Sequence, residues 1–290
     1  MDNPWLQRRV LNYAHQGGAR EGPSSTLFAL HQAVAVGADA LELDVHATAD
    51  GELVVCHDAT VDRTTAAHGA IADLTLAELL ELDNAYWWVP GEVVAPGRPD
   101  ADYPYRGRAP AEATFGVAPL RLVLEEFGGV FLNLDIKQTA PDVAPYEARL
   151  AALLREFGRR DDVIVASFLD HSTEAFSAAA PEIATSFGTA ATALFWQAVH
   201  NGEDPPAPRP GQVALQVPTA FQGITVVDES FVAAAHRCGL AVHVWTIDEA
   251  DEMRRLVDLG VDGIMTDRPS VLADVLRASR VAWAGLPGVG

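Results

Sequence analysis

The sequence predicts an α/β fold, a TIM (β/α)8 barrel, on three observations. Short apolar segments alternate with amphipathic helical segments along most of the chain, which is typical of a parallel sheet covered by helices. Eight strands are predicted, and eight strand–helix units occupy about 250 residues in such a barrel. One long segment interrupts the alternation after the second of these strands. An open doubly wound sheet is the competing topology, because it shows the same alternation.

The strands are predicted from short runs rich in Val, Ile and Leu, and the helices from apolar residues three and four positions apart. The strand segments are 10–14, 40–46, 130–137, 163–167, 184–188, 213–217, 241–247 and 263–266. The helical segments are 25–36, 146–157, 172–180, 190–200, 229–238, 249–259 and 270–279. We expect a single domain over residues 1–290. Its insertion, 47–129, is predicted to hold a hairpin ending at 53–57, a capped helix at 75–82 and an aromatic run at 86–105.

The composition limits the possible partners. Hydrophobic residues make up 49% and charged residues 21% of the 290, as in ordinary globular proteins. The net charge of −20 argues against nucleic-acid binding, which requires a basic face. The two cysteines are too few for a disulfide framework.

The chain shows no sign of a membrane span or a secretion signal. No run approaches the roughly 18 apolar residues of a transmembrane segment, and the polar N-terminus lacks an apolar signal core. We therefore expect a cytoplasmic protein. The apolar tail at 281–290 is a candidate to dock on the barrel or to form a homo-oligomer.

Two carboxylates share one face of the second predicted barrel strand. Residues alternate along a strand, so Glu42, Asp44 and His46 point one way and the intervening apolar residues point the other. Two carboxylates that face a barrel interior repel each other and lose hydration, so they need a cation or a proton between them. A hard divalent cation suits this oxygen-rich pair. A polar edge strand that faces solvent is the alternative interpretation.

A hairpin is predicted to bring His57 beside this pair. Asp50-Gly51 is a strong turn signal, and the segment after Asp44 is too short for a parallel crossover. Folding the chain back about this turn sets His57 opposite residues 43–45.

His15 ends the first predicted strand and precedes Gly17-Gly18. Catalytic residues of such barrels cluster at the carboxyl ends of the strands, and glycines let backbone N–H groups approach a ligand. A lone histidine is more often structural. Two histidines at one barrel mouth, next to carboxylates, favour a general acid and base pair, His15 and His57.

The third barrel strand places Asn133, Asp135 and Lys137 on one face. An inward Asp135 would supply a third metal ligand, and Lys137, nearer the mouth, would meet an anion. An internal Asp–Lys ion pair is the structural alternative.

An ordered set of residues resembles the glycerophosphodiester phosphodiesterase family. The matching residues are His15 and Gly17; Glu42 and Asp44; Asp50 and Gly51; Val54, Val55, His57 and Asp58; Asp135 and Lys137; Trp245 and Thr246; and the run 260–269. The resemblance extends from about residue 10 to residue 275. No single motif is specific, but the ordered set is.

The resemblance implies a PLC-like phosphodiesterase barrel that hydrolyses glycerophosphodiesters to glycerol 3-phosphate and an alcohol. It implies one divalent cation, Ca²⁺ or Mg²⁺, and a small-molecule phosphodiester as the partner. Carried over residue by residue, His15 and His57 are the acid–base pair, and Glu42, Asp44 and Asp135 are the metal ligands. Lys137 contacts the phosphate, Trp245 lines the substrate pocket, and His46 is a further candidate contact.

Three positions depart from the family pattern. Gln16 stands where the family usually has Arg, and Arg20 is the candidate to replace that charge. Ser24 stands where the family usually has Glu. Asp135 is one methylene shorter than the usual Glu. Gln16 and Arg20 are therefore included among the substrate-binding candidates.

Two other functions stay open at this point. A lysophospholipase D would apply the same chemistry to an acylated substrate, and the aromatic insertion at 86–88 favours it if Trp87 and Trp88 cover an acyl chain. Packing of these aromatics onto the barrel is the preferred interpretation. The second alternative is that the barrel binds phosphate without catalysing a reaction. The retained His15, His57 and Lys137 argue against it.

Overall fold

A computed structural model describes residues 3–6 and 9–281 of the chain. Its strands are β1 Leu11–His15, β2 Ala40–Ala47, β3 Leu53–Val55, β4 Ala118–Pro119, β5 Phe131–Ile136, β6 Val163–Ala166, β7 Ala184–Ser186, β8 Gln212–Pro218, β9 Ala220–Phe221, β10 Ile224–Thr225, β11 Ala241–Trp245 and β12 Gly263–Thr266. Its helices are α1 Leu27–Val36, α2 Leu76–Leu80, α3 Leu120–Glu126, α4 Glu147–Glu156, α5 Asp170–Ala179, α6 Thr189–His200, α7 Glu229–Arg237, α8 Ala250–Leu259 and α9 Pro269–Ala278.

Eight parallel strands form a closed barrel. Their order is β1-β12-β11-β8-β7-β6-β5-β2, and β1 also pairs with β2, with His15 opposite Glu42. This second pairing of β1 closes the sheet on itself, which confirms the predicted TIM barrel and excludes the open sheet.

The core has an outer layer and an inner layer. Apolar faces of the helices pack on the outward side chains of the strands in two large clusters, one around β2 and β5 and the other around β8 and β11. Inside the barrel, the amino ends of the strands carry apolar side chains such as Leu11, Ala40 and Phe131, which pack around Trp5. The polar inward positions therefore lie towards the carboxyl ends.

The insertion is ordered against the barrel. β3 pairs antiparallel with β2, and β4 pairs antiparallel with β3. Trp88 stacks on Tyr105 at 5.4 Å and donates a hydrogen bond from Nε1 to the carbonyl oxygen of Ala19 at 2.9 Å. Trp87 donates from Nε1 to the carbonyl oxygen of Thr65. The structure thus confirms the packing interpretation of these aromatics, and neither indole is placed as a lid.

Some elements differ from the sequence prediction, among them β4, which was not predicted. Residues 120–126 form α3, the helix between β2 and β5 in the barrel, although the whole of 47–129 was expected to be insertion. The short hairpin β9–β10 was not predicted either.

In the described part of the chain, no helix is long and apolar enough to cross a membrane. Residues 282–290 of the predicted docking or self-association tail lie outside the described residues.

Candidate active site

The carboxyl ends of the barrel strands surround a cavity of about 500 Å³. Six of the predicted site residues with ionisable side chains line it: His15, Glu42, Asp44, His57, Asp135 and Lys137. Trp245 lines it as well. The parallel register explains this convergence, because it sets His15 opposite Glu42 and Asp44 opposite Asp135.

His15 lies at the end of β1 and pairs with a carboxylate from the loop after β12. Its Nδ1 is 2.7 Å from Oδ1 of Asp267, and its Nε2 is 3.8 Å from Oε2 of Glu42. Burial lowers the pKa of His15, but the hydrogen bond with Asp267 and the charges of Glu42, Asp267 and Asp44 outweigh this effect and raise the pKa to about 9.

His57 reaches the cavity through the β2–β3 hairpin. Val45 lies opposite Val55, and the amide of Cys56 donates to the carbonyl oxygen of Asp44 at 3.0 Å. The rings of His57 and His15 are therefore 6.4 Å apart, centroid to centroid. Nδ1 of His57 is 2.6 Å from Oδ1 of Asp58, whose other oxygen accepts from Nε of Arg63 at 2.8 Å.

Three buried carboxylates and one lysine complete the charged part of the cavity. Lys137 Nζ lies 3.1 Å from Oδ1 of Asp44 and 3.5 Å from Oδ2 of Asp135. Burial raises the pKa of Glu42 to about 8, with the charge of Asp44 adding to the effect and His15 opposing it. Burial also raises the pKa of Asp135 to about 6, against the charge of Lys137. The site thus holds more negative charge than its own cations offset.

Two carboxylate oxygens in this cluster are buried without a hydrogen-bond partner, Oδ2 of Asp44 and Oδ1 of Asp135. Such orphaned oxygens fit a hard cation as the missing partner. Within residues 3–6 and 9–281, no group of three or more His, Cys, Asp or Glu side chains is arranged as a ready-made metal site. In this arrangement the ammonium of Lys137 is the cation that Asp44 and Asp135 share.

The other predicted contacts lie outside the cavity wall. Arg20 donates from Nε to Oδ2 of Asp248 at 2.9 Å and from Nη1 to the carbonyl oxygen of Gly91. His46 is buried; its Nδ1 is 3.3 Å from Oε1 of Gln138, and its Nε2 is 3.4 Å from the carbonyl oxygen of His57. In this structure Arg20 ties the insertion to the barrel, and His46 supports the hairpin that carries His57.

Gln16 contacts His15 instead of the cavity. Its side-chain Nε2 is 3.2 Å from Nε2 of His15. Its backbone N–H donates to Oε2 of Glu42 at 3.3 Å. The residue adopts a positive φ of 52°, so the chain turns sharply directly after the histidine. Gln16 therefore fixes the positions of His15 and Glu42.

Three features of the site were missed from the sequence. Asp267 and Asp58 belong to the matched motifs, but no role was assigned to either. The apolar half of the cavity, which contains Phe168, Trp196 and the β9–β10 hairpin, was not anticipated. The two-residue turn Gln222-Gly223 between apolar Phe221 and Ile224 was a signal for that hairpin.

Known proteins resemble this chain over nearly its whole length. A glycerophosphodiester phosphodiesterase from Caldanaerobacter subterraneus subsp. tengcongensis is 30% identical over 93% of this chain and 98% of its own. A lysophospholipase D from Rattus norvegicus is 25% identical over 94% of this chain and 87% of its own.

Solved structures share the fold. The glycerophosphoryl diester phosphodiesterase domain of a Mycobacterium tuberculosis protein superposes with a TM-score of 0.77 at 21% identity, over 93% of this chain and 99% of that one. An Oleispira antarctica phosphodiesterase, solved in complex with the product sn-glycerol-3-phosphate, has a TM-score of 0.67 at 24% identity, over 91% of this chain and 96% of that one. The model of the glycerophosphoryl diester phosphodiesterase family matches residues 15–271. The chain is therefore a member of the glycerophosphoryl diester phosphodiesterase family of enzymes.

Proposed function

We propose that this enzyme hydrolyses glycerophosphodiesters to glycerol 3-phosphate and an alcohol, with one divalent cation, Ca²⁺ or Mg²⁺, as cofactor. The observation that carries this proposal is the meeting of two histidines, three carboxylates and Lys137 in one cavity. The family match supports the same substrate class, as does the glycerol phosphate bound by the Oleispira antarctica relative.

Glu42, Asp44 and Asp135 are the proposed ligands of the cation. The orphaned oxygens of Asp44 and Asp135 support this assignment, and so does the raised pKa of Glu42, since a nearby cation would stabilise its ionised form. A divalent cation bound there supplies Lewis acidity towards a phosphoryl oxygen.

His15 and His57 are the proposed acid and base. In the reaction, a phosphorus–oxygen bond to the attacking hydroxyl forms and the bond to the leaving alcohol breaks. One histidine takes the proton of the attacking group, which is water or the glycerol 2-hydroxyl, and the other protonates the leaving oxygen. Attack by water gives glycerol 3-phosphate directly. Attack by the 2-hydroxyl gives a cyclic phosphate, which water then opens to glycerol 3-phosphate, with the two histidines exchanging roles as base and acid. Lys137 would contact the anionic phosphate, and Trp245 would line the substrate pocket.

Metal removal tests the cofactor. Release of glycerol 3-phosphate from glycerophosphocholine should stop after treatment with EDTA and return when Ca²⁺ or Mg²⁺ is added in excess. Turnover that survives EDTA would overturn the metal assignment, and no turnover of any glycerophosphodiester with either ion would overturn the function itself.

Single substitutions test the acid–base pair. His15→Ala and His57→Ala should each lower kcat by about 10²-fold or more, because each removes a proton-transfer group. His31→Ala is the matched control, since His31 is exposed and pairs with Glu126 on the surface. A near-normal kcat in either active-site variant contradicts the role given to that histidine.

The two alternative functions can be distinguished by the substrates that the protein hydrolyses. The lysophospholipase D hypothesis loses its original basis, because Trp87 and Trp88 are packed in the insertion. Metal-dependent turnover of bis(p-nitrophenyl) phosphate would exclude a non-catalytic binding barrel. The cytoplasmic location and the homo-oligomer stay predictions from the sequence.

A further inference from the structure

Two amide side chains form the floor of the cavity, Asn133 of β5 and Gln216 of β8. Asn133 precedes Asp135 by two positions and points into the barrel as Asp135 does, so it lies about 7 Å further from the mouth along the strand. Beyond the two amides, the barrel is filled by the apolar cluster around Trp5 and Phe131. The proposed chemistry gives neither amide a role.

The amide of Gln216 is held by two partners. Its Nε2 donates a hydrogen bond to Oδ1 of Asn133 at 2.6 Å, although β6 and β7 separate their strands in the barrel. The same nitrogen lies 3.4 Å from Nδ1 of His243, whose side chain is fully buried. The floor is therefore a connected polar cluster with fixed side-chain positions.

The floor carries no charge. The two amides are neutral, and burial lowers the pKa of His243 to about 3, so its ring is neutral near pH 7 as well. Lys137, the cation beside Asp44 and Asp135, lies nearer the mouth. An anionic phosphate is thus favoured near Lys137, and a neutral polar group is favoured at the floor.

The floor offers a ligand one hydrogen-bond donor and one acceptor. In the described part of the chain, neither Nδ2 of Asn133 nor Oε1 of Gln216 has a hydrogen-bond partner, and neither atom is buried away from the cavity. Turning both amides over exchanges donor and acceptor but keeps one of each, and turning only one would place two like atoms 2.6 Å apart. A hydroxyl group, which both donates and accepts, matches this pair.

We propose that Asn133 and Gln216 bind the terminal hydroxyl of the glycerol moiety and so select glycerophosphodiesters in which this hydroxyl is free. The inference rests on the proposed function and deepens it, because it names the residues that recognise the substrate beyond its phosphate. The terminal hydroxyl and the phosphate are at opposite ends of the glycerol moiety, and the depth of Asn133 below Asp135 suits that separation. The apolar cluster closes the cavity below the floor, so we expect a substituent on this hydroxyl to be excluded.

Changes at the terminal hydroxyl of the substrate provide the test. kcat/KM is measured for glycerophosphocholine, for the analogue in which hydrogen replaces this hydroxyl, and for the methyl ether of this hydroxyl. Both analogues keep the 2-hydroxyl, the phosphate and the choline. Each should have a kcat/KM about tenfold or more below that of glycerophosphocholine, because the deoxy analogue leaves both amides without a partner and the ether cannot donate.

The outcomes separate this inference from the proposed function. An analogue that is hydrolysed with the same kcat/KM as glycerophosphocholine overturns the hydroxyl site and leaves the proposed function intact. No hydrolysis of any of the three compounds overturns the function as well.

Two variants locate the effect. Gln216→Met keeps the length of the side chain but removes its donor and its acceptor, so the ratio of kcat/KM between glycerophosphocholine and the deoxy analogue should fall by about tenfold. Asn133→Leu should lower the same ratio. Because the ratio compares two substrates in one preparation, partial unfolding of a variant does not alter it.

Gln212→Met is the matched control, because it is the same substitution on the same strand. Oε1 of Gln212 accepts from the amide of Arg209, and the residue does not line the cavity, so this variant should keep the wild-type ratio. A wild-type ratio in both Gln216→Met and Asn133→Leu overturns the proposal, since the preference for the hydroxyl would then come from another part of the cavity.

Discussion

Each catalytic histidine proposed here has a carboxylate at Nδ1. His15 has Asp267 at 2.7 Å, and His57 has Asp58 at 2.6 Å. A carboxylate at this nitrogen sets the tautomer and the orientation of the ring. The two partners differ, because Asp58 is the next residue in the chain and also accepts from Arg63, whereas Asp267 comes from the other end of the sequence. We therefore expect Asp267 to act as a positioning residue for His15.

Replacing Asp267 should show this role in two ways. In Asp267→Asn we expect kcat to fall by about 10- to 100-fold, because the ring of His15 loses its charged orienting partner. The pKa of His15 should also fall, since Asp267 is among the groups that raise it. NMR titration of His15 in metal-free protein measures the pKa directly.

The control for this variant is another His–Asp pair. Asp228→Asn removes the partner of His200, which lies at the surface, and should change neither kcat nor the pKa of His15. If the pKa of His15 is the same in Asp267→Asn and in the wild type, Asp267 does not hold its proton and the positioning role is wrong.

Sequence patterns reveal residues of the site to different degrees. Alternation along one strand was enough to place Glu42 and Asp44 on one face, because the period of a strand is a local property. The Asp267 partner of His15 is 252 positions away, and no local pattern shows such a pair. Arg20 illustrates a different point: its charge made it a candidate phosphate contact, and only the structure shows that its side chain pairs with Asp248.

At the scale of elements, the β2–β3 hairpin positions His57 next to the barrel. Gly51, in its turn, has a φ of 80°, and the side chain of Asp50 accepts from the amide of Leu76 at 3.0 Å. The turn is thereby attached to α2, whose first residue is Leu76. The Asp-Gly signal predicted this hairpin because the left-handed conformation is a local requirement.

A substitution at Gly51 isolates that requirement. In Gly51→Ala the new methyl group meets no atom within 4 Å, so the penalty comes from the left-handed backbone alone. We expect a loss of about 1 kcal/mol in the free energy of unfolding, measured by urea denaturation. Gly128→Ala is the matched control, because a methyl group there also meets nothing and its φ is outside the left-handed region. Equal effects at the two positions would contradict this explanation.

Other elements escaped prediction for identifiable reasons. α3 has only seven residues and follows Pro119, so it looked like the end of the insertion, although Leu120, Val123, Leu124 and Phe127 have helical spacing. The β9–β10 hairpin has two residues in each strand, which is shorter than the runs that periodicity detects. The hairpin lines the cavity, and that cavity exists only in the folded barrel.

At the scale of the whole molecule, the barrel separates polar and apolar inward positions along its axis. Trp5, Leu11 and Phe131 fill the amino end, and the carboxylates and histidines lie at the carboxyl end. Sequence alternation predicts which residues point inward, and the number of strands predicts the closed barrel. The β1–α1–β2 unit places β1 beside β2, but the contacts between the two strands could not be read from either strand separately.

One contact between β1 and the residue before β2 is expected to make the free energy of unfolding depend on pH. Oδ2 of Asp39, just before β2, accepts from the amide of Asn12 in β1 at 3.0 Å. Burial raises the pKa of Asp39 to about 7, although this hydrogen bond opposes the shift. A carboxyl group whose pKa is higher in the folded state favours folding most at low pH, where it is protonated in both states. This stabilising contribution is lost as pH rises from about 4, the pKa of the group in the unfolded chain, to about 7, its pKa in the folded protein.

The variant Asp39→Asn should remove this dependence while its side-chain oxygen still accepts from Asn12. We expect the variant to gain free energy of unfolding relative to the wild type between about pH 4 and pH 7, and the difference to stay constant above that range. Urea denaturation at several pH values measures it. Asp161→Asn is the control, because the side chain of Asp161 is 92% exposed and should give a flat difference. A flat difference for Asp39→Asn would show that this buried carboxyl group does not cause the pH dependence, which would then come from other groups with shifted pKa values, such as Glu42 and Asp135 in the site.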